Sequence, residues 1–289
     1  MKFFNILRYF VEFAIIFIFL IIFKLLGLNL SSFISSKIFS LIGHFFRSEK
    51  IITQNITQAF PLKSKIEIKK ISQDMWKYYG RILAEYVYLK KFREDEKNTF
   101  IEIKGEEILN DIKNKNENVI FVSGHFDNFE LMALSLEKSG INLSTIYRPL
   151  NNFLLNSIME SLRKKYICKN QIKKGRANIR NLIKNFKGGS SVALMIDQRV
   201  SEGIKSNFFN KDAYTTTIPA QFVRKYNTKI VPIHIERTYG VKFKLEVFKP
   251  IEFKKNEDIE TITNELNNWL EKMILRNPSQ WIWSHNRWK

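Results

Sequence analysis

Apolar positions along this chain follow three successive patterns. Phe13 to Phe23 is continuously apolar and bracketed by Glu12 and Lys24, so its uncharged core is shorter than the ~20 residues a bilayer-spanning helix prefers; it can span or only embed. From Ser31 to Lys91 the spacing is helical, with Phe33, Ile34, Ile38, Leu41 and Ile42 in one segment, Ile71, Met75, Tyr78 and Ile82 in another, and Pro61 between them. Further on, short β-branched runs alternate with helical ones: 119–122 then 128–138, 143–147 then 153–166, 191–196 then 217–226, and 230–235. Such alternation predicts an α/β fold with a mostly parallel central sheet flanked by helices. The run 241–248 alternates in polarity and could be a late antiparallel strand, and 259–275 reads as a closing helix with Ile262, Leu266, Leu270 and Ile274 on one face. No internal repeat or low-complexity linker interrupts this. We expect an N-terminal membrane anchor over 1–28 and one domain over 29–289.

The anchor has a competing reading. Lys2 and Arg8 ahead of an apolar core resemble a secretory signal, but no clear small-x-small cleavage site follows in Leu25-Leu26-Gly27-Leu28-Asn29-Leu30. A retained anchor is therefore expected.

Charge narrows the choice of partner. The formal net charge is +19, and the stretch from Arg163 to Lys187 holds ten basic residues and no acidic one. A face of that kind attracts an anionic membrane surface or an acidic protein. Nucleic acid is not expected, because no zinc finger, basic helix pair or glycine-aromatic RNA-binding signature accompanies the charge. Cys168 is the single cysteine and permits no internal disulfide; it is expected to be a packing residue. His44, His125, His234 and His285 show no paired ligand spacing, so no metal site and no cofactor are expected.

The strongest chemical signal is Gly124-His125-Phe126-Asp127-Asn128-Phe129-Glu130, between a predicted strand and a predicted helix. A spacing of five turns the second side chain by about 140° in a regular helix, so His125 and Glu130 can meet only with the histidine on the turn and the glutamate in the first helical turn. The same residues also read as a capping box, with Asp127 the cap and Glu130 reaching back to it. Ligands in open α/β sheets bind beyond the carboxyl ends of strands, where His125 is expected and where Asp197-Gln198 ends another buried strand.

Several segments, in order, resemble the late lipid A acyltransferases, the lauroyl/myristoyl transferase family of Gram-negative bacteria within the wider lysophospholipid-acyltransferase-like group. They are the apolar N-terminus, Asn55 to Pro61, Gly105, the His125 to Glu130 block, Tyr147-Arg148-Pro149, the basic run around Arg163, Asp197-Gln198, Phe208-Phe209, Pro219-Ala220 and the closing stretch from Pro278 to Trp288. The chain departs from the family pattern at Asn210 and Ile218, where glycine is usual, and at Asp212, where proline is usual. Asn210 can keep a left-handed loop; Ile218 cannot be accommodated that way.

The resemblance implies a glycerolipid-acyltransferase-like fold and transfer of a fatty acyl group from an acyl carrier protein thioester to a hydroxyl of a lipid A precursor, at the inner membrane with the active domain facing the cytoplasm. In that chemistry His125 is the general base, and Glu130 holds its other ring nitrogen. Arg163 is the side-chain candidate for the oxyanion. Arg148 and Arg176 suit the acceptor's phosphates, and Asp197 with Gln198 could line the site or cap a loop. His285 reads as a packed histidine, and the C-terminal tryptophans suit either core packing or the membrane interface. The rival readings are acylation of glycerol phosphate, a lysophospholipid or another glycolipid, and a non-catalytic, membrane-anchored basic scaffold. Glutamate at position 130 favours the lipid A branch, because the rival acyltransferases generally carry aspartate there.

Overall fold

The computed structural model describes residues 2–289, and of these every side chain except those of Lys2, Phe3, Arg176 and Ala177. The helical N-terminal part comprises α1 (Lys2–Leu26), α2 (Leu28–Ile42), α3 (Glu49–Ala59), α4 (Lys65–Glu85) and α5 (Leu89–Arg93). There follow β1 (Ile101–Lys104), α6 (Glu106–Asn114), β2 (Ile120–Ser123), α7 (Glu130–Lys138), β3 (Leu143–Tyr147), α8 (Phe153–Leu162), β4 (Asn170–Lys173), α9 (Arg176–Lys187) and β5 (Ser191–Met195). The hairpin β6 (Ile204–Phe208) and β7 (Lys211–Thr215) precedes α10 (Ile218–Tyr226), β8 (Ile230–Tyr239), β9 (Lys242–Val247) and α11 (Ile259–Arg276).

Seven strands form the central sheet in the order β1-β9-β8-β2-β5-β3-β4. The five from β8 to β4 are mutually parallel, whereas β9 runs antiparallel to β8 and carries β1 beside it in its own direction. The mostly parallel sheet and the reversed late strand are thus as expected. The reason is visible in β2, whose Ile120, Phe121, Val122 and Ser123 are all buried: helices cover both faces, so no polar alternation is needed. On α11, Ile262, Leu266, Leu270 and Ile274 all face the core.

Three things differ from the expectation. The short, half-polar strands β1 and β4 and the polar hairpin β6–β7 lie outside the strand-like runs, because edge strands of four or five residues carry little hydrophobic signal. The expected helix 153–166 ends at Leu162 and continues as a π-turn over Arg163–Ile167, a widened turn of the sort frequent at functional sites. The apolar stripe of α2 faces outward: Phe33 and Leu41 are exposed while Ser31, Ser32, Ser35 and Ser36 are buried.

The departures at the β6–β7 hairpin separate cleanly. Asn210 adopts φ +57° and keeps the left-handed turn, with Phe209 at φ +52° beside it. Ile218 opens α10 in ordinary helical conformation, where glycine's freedom is not required.

Cys168 is buried and its thiol faces the Leu143 carbonyl oxygen at 3.1 Å, consistent with a packing role. His234 is buried on β8 with its ring edge-on to Phe126 at 4.6 Å between centroids. Burial, with Arg276 acting in the same direction, pushes its pKa from 6.5 down to about 4. The neutral ring is the folded form, so its contribution is complete above about pH 6.5 and is lost as pH falls toward 4. A depression of that size corresponds to about 3 kcal/mol. Thermal melts between pH 7 and pH 4.5 should show this acid limb, and His234→Phe should flatten it.

Candidate functional site

His125 sits two residues past the end of β2, and Asp197 two residues past the end of β5. Those strands are parallel neighbours with Ser123 opposite Met195, so the sheet register brings both residues to the same edge at the same height. Asp197 Oδ1 lies 2.7 Å from His125 Nδ1, and Asp197 Oδ2 accepts from the His125 backbone N–H at 2.8 Å and from Trp281 Nε1 at 2.9 Å. Burial pushes the Asp197 carboxyl up, but the facing imidazole and these hydrogen bonds outweigh it and leave the group below the usual carboxylate range. The ring is thereby fixed with Nδ1 toward the carboxylate, and Nε2 is turned to the outer side, 3.5 Å from Gln198 Nε2. A small cleft lies alongside, with Met75, Tyr79, Ile82, Phe129 and Ile282 in its wall; the Phe129 ring stands edge-on to His125 at 4.8 Å.

The expected partner of the imidazole was Glu130, and here the structure differs. Glu130 is the first residue of α7, as anticipated, but its carboxylate takes the Tyr86 hydroxyl at 2.7 Å and the Arg163 Nε at 2.9 Å, with Arg163 Nη2 also donating to it. Nor do Asp127 and Glu130 form a capping box, since Phe129 stands at the cap without a side-chain hydrogen bond. Arg163, placed by the π-turn, is mostly buried and stacks over Tyr147 at 5.7 Å. Burial works against its charge, but Glu130 and Tyr86 outweigh it and hold its pKa above the ordinary range. Arg163 therefore enters the site as one half of an ion pair. Arg148 is exposed just past the end of β3, and the side chain of Arg176 lies outside the described ones.

A second charged cluster was not singled out from the sequence. Arg237 on β8 reaches Glu85 through Nη1 at 2.6 Å and Nη2 at 2.9 Å, and Asp127 through Nε at 3.0 Å and Nη2 at 2.6 Å. All three side chains are essentially inaccessible, and Asn128 Nδ2 and Ser32 Oγ complete the Glu85 shell at 2.8 Å each. Burial raises the Asp127 carboxyl even with Arg237 beside it. Asp127 is held at φ +34°, a strained value for a residue with a Cβ, and its backbone N–H is pinned to the Gln280 carbonyl at 2.7 Å. The turn carrying His125 is thus clamped from the helical N-terminal part, from β8 and from the C-terminal segment.

That C-terminal segment is a buried strap. Trp281, Trp283 and Arg287 are inaccessible to solvent, which settles these tryptophans as core residues. Asn55 Nδ2 donates to the carbonyls of Trp283 and His285, at 2.8 and 2.7 Å, and Arg287 holds the β6–β7 hairpin through the Tyr214 carbonyl. His285 is packed, with Nε2 accepting from the Arg199 backbone N–H at 2.9 Å.

A histidine–carboxylate pair at the carboxyl edge of a helix-covered parallel sheet, with an apolar cleft beside it, suits a base-assisted transfer onto a hydroxyl of a largely apolar substrate. The chain belongs to the bacterial lipid A biosynthesis acyltransferase family, whose model matches residues 1–289, and it is an acyltransferase. It is 26% identical over 251 residues to the lipid A biosynthesis lauroyltransferase of Escherichia coli, covering 84% of this chain and 79% of that protein. Identity to the E. coli palmitoleoyltransferase is 24% over 247 residues, with the same coverage of 84% and 79%. To the E. coli myristoyltransferase it is 21%, covering 79% of this chain and 71% of that one. Among solved structures, the 1-acyl-sn-glycerophosphate acyltransferase PlsC of Thermotoga maritima superposes with a TM-score of 0.40 at 16% identity, over 85% of this chain and 95% of that one.

Removing one partner of a buried ion cluster leaves uncompensated charge, typically at a cost of about 3–5 kcal/mol. Arg237→Met, which strands both Glu85 and Asp127, should lower stability by about that amount in urea unfolding of the detergent-solubilised protein. A loss under about 1 kcal/mol would mean that the cluster does not clamp the turn.

Proposed function

We propose that this chain transfers a fatty acyl group from an acyl carrier protein thioester to a hydroxyl of a lipid A precursor, at the cytoplasmic face of the inner membrane. The observation that carries the reading is the His125–Asp197 pair at 2.7 Å on the sheet edge of a chain belonging to this family. An alcohol is a poor nucleophile at neutral pH, so Nε2 of His125 removes its proton as the oxygen attacks the thioester carbon. Asp197 holds the tautomer and stabilises the imidazolium that forms. The proton then passes to the departing thiolate sulfur as the tetrahedral intermediate collapses.

Arg163 is assigned to the developing oxyanion and Glu130 to holding that guanidinium in place, so the five-residue spacing of His125 and Glu130 serves two adjacent tasks at one turn. Glu130 acts through Arg163, whose guanidinium it holds through Nε and Nη2. Arg148, Arg176 and Gln198 are assigned to the acceptor, the arginines to its phosphates. The cleft beside His125 is assigned to the acyl chain next to the thioester. Lys165, Lys174, Arg180 and Lys184 lie exposed in the basic stretch and suit an acidic carrier protein, whereas Lys164 and Lys173 already face Glu160 at 2.9 and 3.6 Å.

The direct test is transfer by purified protein from acyl carrier protein thioester to a lipid A precursor, followed by mass spectrometry. His125→Ala should lower turnover by roughly 10²–10⁴-fold with folding intact. Asp197→Asn should also lower kcat strongly, with less effect on KM; full activity of that variant would remove Asp197 from the mechanism. In a double-mutant cycle, Glu130→Gln and Arg163→Ala should couple, the double variant being little worse than the weaker single one. Additive losses would separate the two roles.

The basic stretch makes a different kind of prediction. Joint replacement of Lys165, Lys174, Arg180 and Lys184 by glutamine should raise KM for the carrier protein more than it lowers kcat. Steering charge acts mainly on encounter, and added salt should reproduce the effect in the wild type. Equal changes in both parameters would refute the docking assignment.

A further inference from the structure

We propose that Trp281 and His285 of the C-terminal strap are positioning residues that hold the turn Asp197-Gln198-Arg199 against His125, an inference that rests on the reading of His125 as the base and Asp197 as its partner. The topology leaves a need for such parts. The ladder between β2 and β5 ends with Ser123 opposite Met195, and one further backbone bond, from the Ile196 N–H to the Ser123 carbonyl at 2.9 Å, closes it. His125 and Asp197 lie beyond that point, each on its own turn. The hydrogen bonds between them all use the Asp197 carboxylate, and the terminal torsion of an unsupported carboxylate is broad.

Trp281 removes that freedom. An indole N–H is a donor only, and in this buried side chain it is spent on Asp197 Oδ2 at 2.9 Å. The same oxygen takes the His125 backbone N–H at 2.8 Å, so the carboxylate cannot turn without breaking one of the two bonds, and Oδ1 stays 2.7 Å from Nδ1. The indole is itself wedged, with Trp283 edge-on at 4.6 Å and Phe208 at 5.9 Å. Its backbone pairs with that of Phe126, beside His125, in an antiparallel bridge. One residue of the strap therefore fixes both partners: the turn that bears the imidazole through its main chain, and the carboxylate through its side chain.

His285 acts at the far end of the same turn. Its Nε2 accepts from the Arg199 backbone N–H at 2.9 Å, and nearby the Lys289 carbonyl accepts from Arg199 Nε at 2.9 Å. Burial holds the His285 ring below its ordinary pKa, with Arg287, His125 and Lys174 acting in the same direction against Asp197, so Nε2 stays an acceptor at neutral pH. The residue is pinned in turn by Asn55, whose Nδ2 donates to the His285 carbonyl at 2.7 Å. The strap thus grips residues 197 and 199 and leaves Gln198 between them, with its side-chain amide 3.5 Å from His125 Nε2, the nitrogen assigned to the acceptor hydroxyl. Packing alone asks for buried rings and satisfied donors. It does not require that all three polar contacts of the strap with this turn fall on the two residues that flank Gln198.

The test uses the full-length, detergent-solubilised protein with acyl carrier protein thioester and a lipid A precursor. At position 281 the indole is replaced by its sulfur isostere, benzothienylalanine, which keeps the shape and removes the N–H; Trp281→Phe is the genetic counterpart. A hydrogen bond to an ionised group is worth about one to two powers of ten in an equilibrium. The isostere should therefore lower kcat roughly tenfold or more, with KM nearly unchanged and thermal unfolding close to that of the wild type. In nitrogen NMR of labelled histidine, the His125 signal, identified by its loss in His125→Ala, should move from the Nδ1–H form toward the Nε2–H form that a free imidazole prefers in water. His285→Leu should also lower kcat, and His285→Gln, whose amide oxygen can accept from the Arg199 N–H, should recover most of the loss. Wild-type kcat in the isostere protein, or a lowered kcat with an unchanged tautomer, would overturn the role of Trp281. Equal losses in His285→Leu and His285→Gln would overturn that of His285. His125→Ala and Asp197→Asn, assayed alongside, separate these outcomes from the reading beneath them. Full activity in both would displace the reaction centre itself and the strap's role with it, whereas crippled activity in both beside an unimpaired isostere protein would remove the strap alone.

Discussion

The candidate site depends on one buried guanidinium. Arg237 spans Glu85 and Asp127 with four hydrogen bonds between 2.6 and 3.0 Å, in a place where two carboxylates without it could not both stay ionised. Since Glu85 ends α4 and Asp127 lies in the turn after β2, this cation joins the helical N-terminal part to the sheet. It holds Asp127 at a positive φ that a free turn would not retain. His125 takes its direction from that turn.

Around this clamp the groups of the candidate site divide into two pairs with separate supports. His125 and Asp197 are joined by strand adjacency, two residues past the end of each of two parallel strands in register, with Trp281 anchoring the carboxylate from behind. Glu130 and Arg163 are joined by a helix start and a π-turn, and Tyr86 ties them back to the segment after α4. Both pairs are largely shielded from water, so each anion meets its cation or imidazole at low dielectric and without needing to reorganise. Tyr86 follows Glu85 in sequence, so one short stretch touches both the clamp and the Glu130–Arg163 pair.

Motifs that are far apart in the chain converge for packing reasons. Asn55 opens one recognisable stretch and ends as the bracket for the carbonyls of Trp283 and His285 in another. Phe60, Phe208, Phe209, Trp283 and Trp288 form one aromatic cluster, with the Phe208–Trp288 rings stacked at 5.5 Å. A strap that closes over the sheet edge last in sequence therefore supports the site from the outside, and the buried Arg287 spends its charge on the hairpin backbone.

Local pattern determined a good deal by itself. Buried strands covered on both faces read as unbroken apolar runs, which made the parallel sheet legible, and a strand-to-helix junction located His125 on its turn and Glu130 at the helix start. Cys168 and His285 were likewise legible as packed residues. Pairing across distance was decided only by tertiary structure. That His125 meets Asp197 and Glu130 meets Arg163 follows from which strands are neighbours and from a π-turn, and a five-residue spacing carries no information about either. The Glu85–Arg237–Asp127 cluster was invisible for the same reason, since charged residues read as solvated until a fold buries them together. The same limit explains α2: periodicity shows that its apolar residues share a face, but whether that face meets a core or a membrane depends on where the serines find partners.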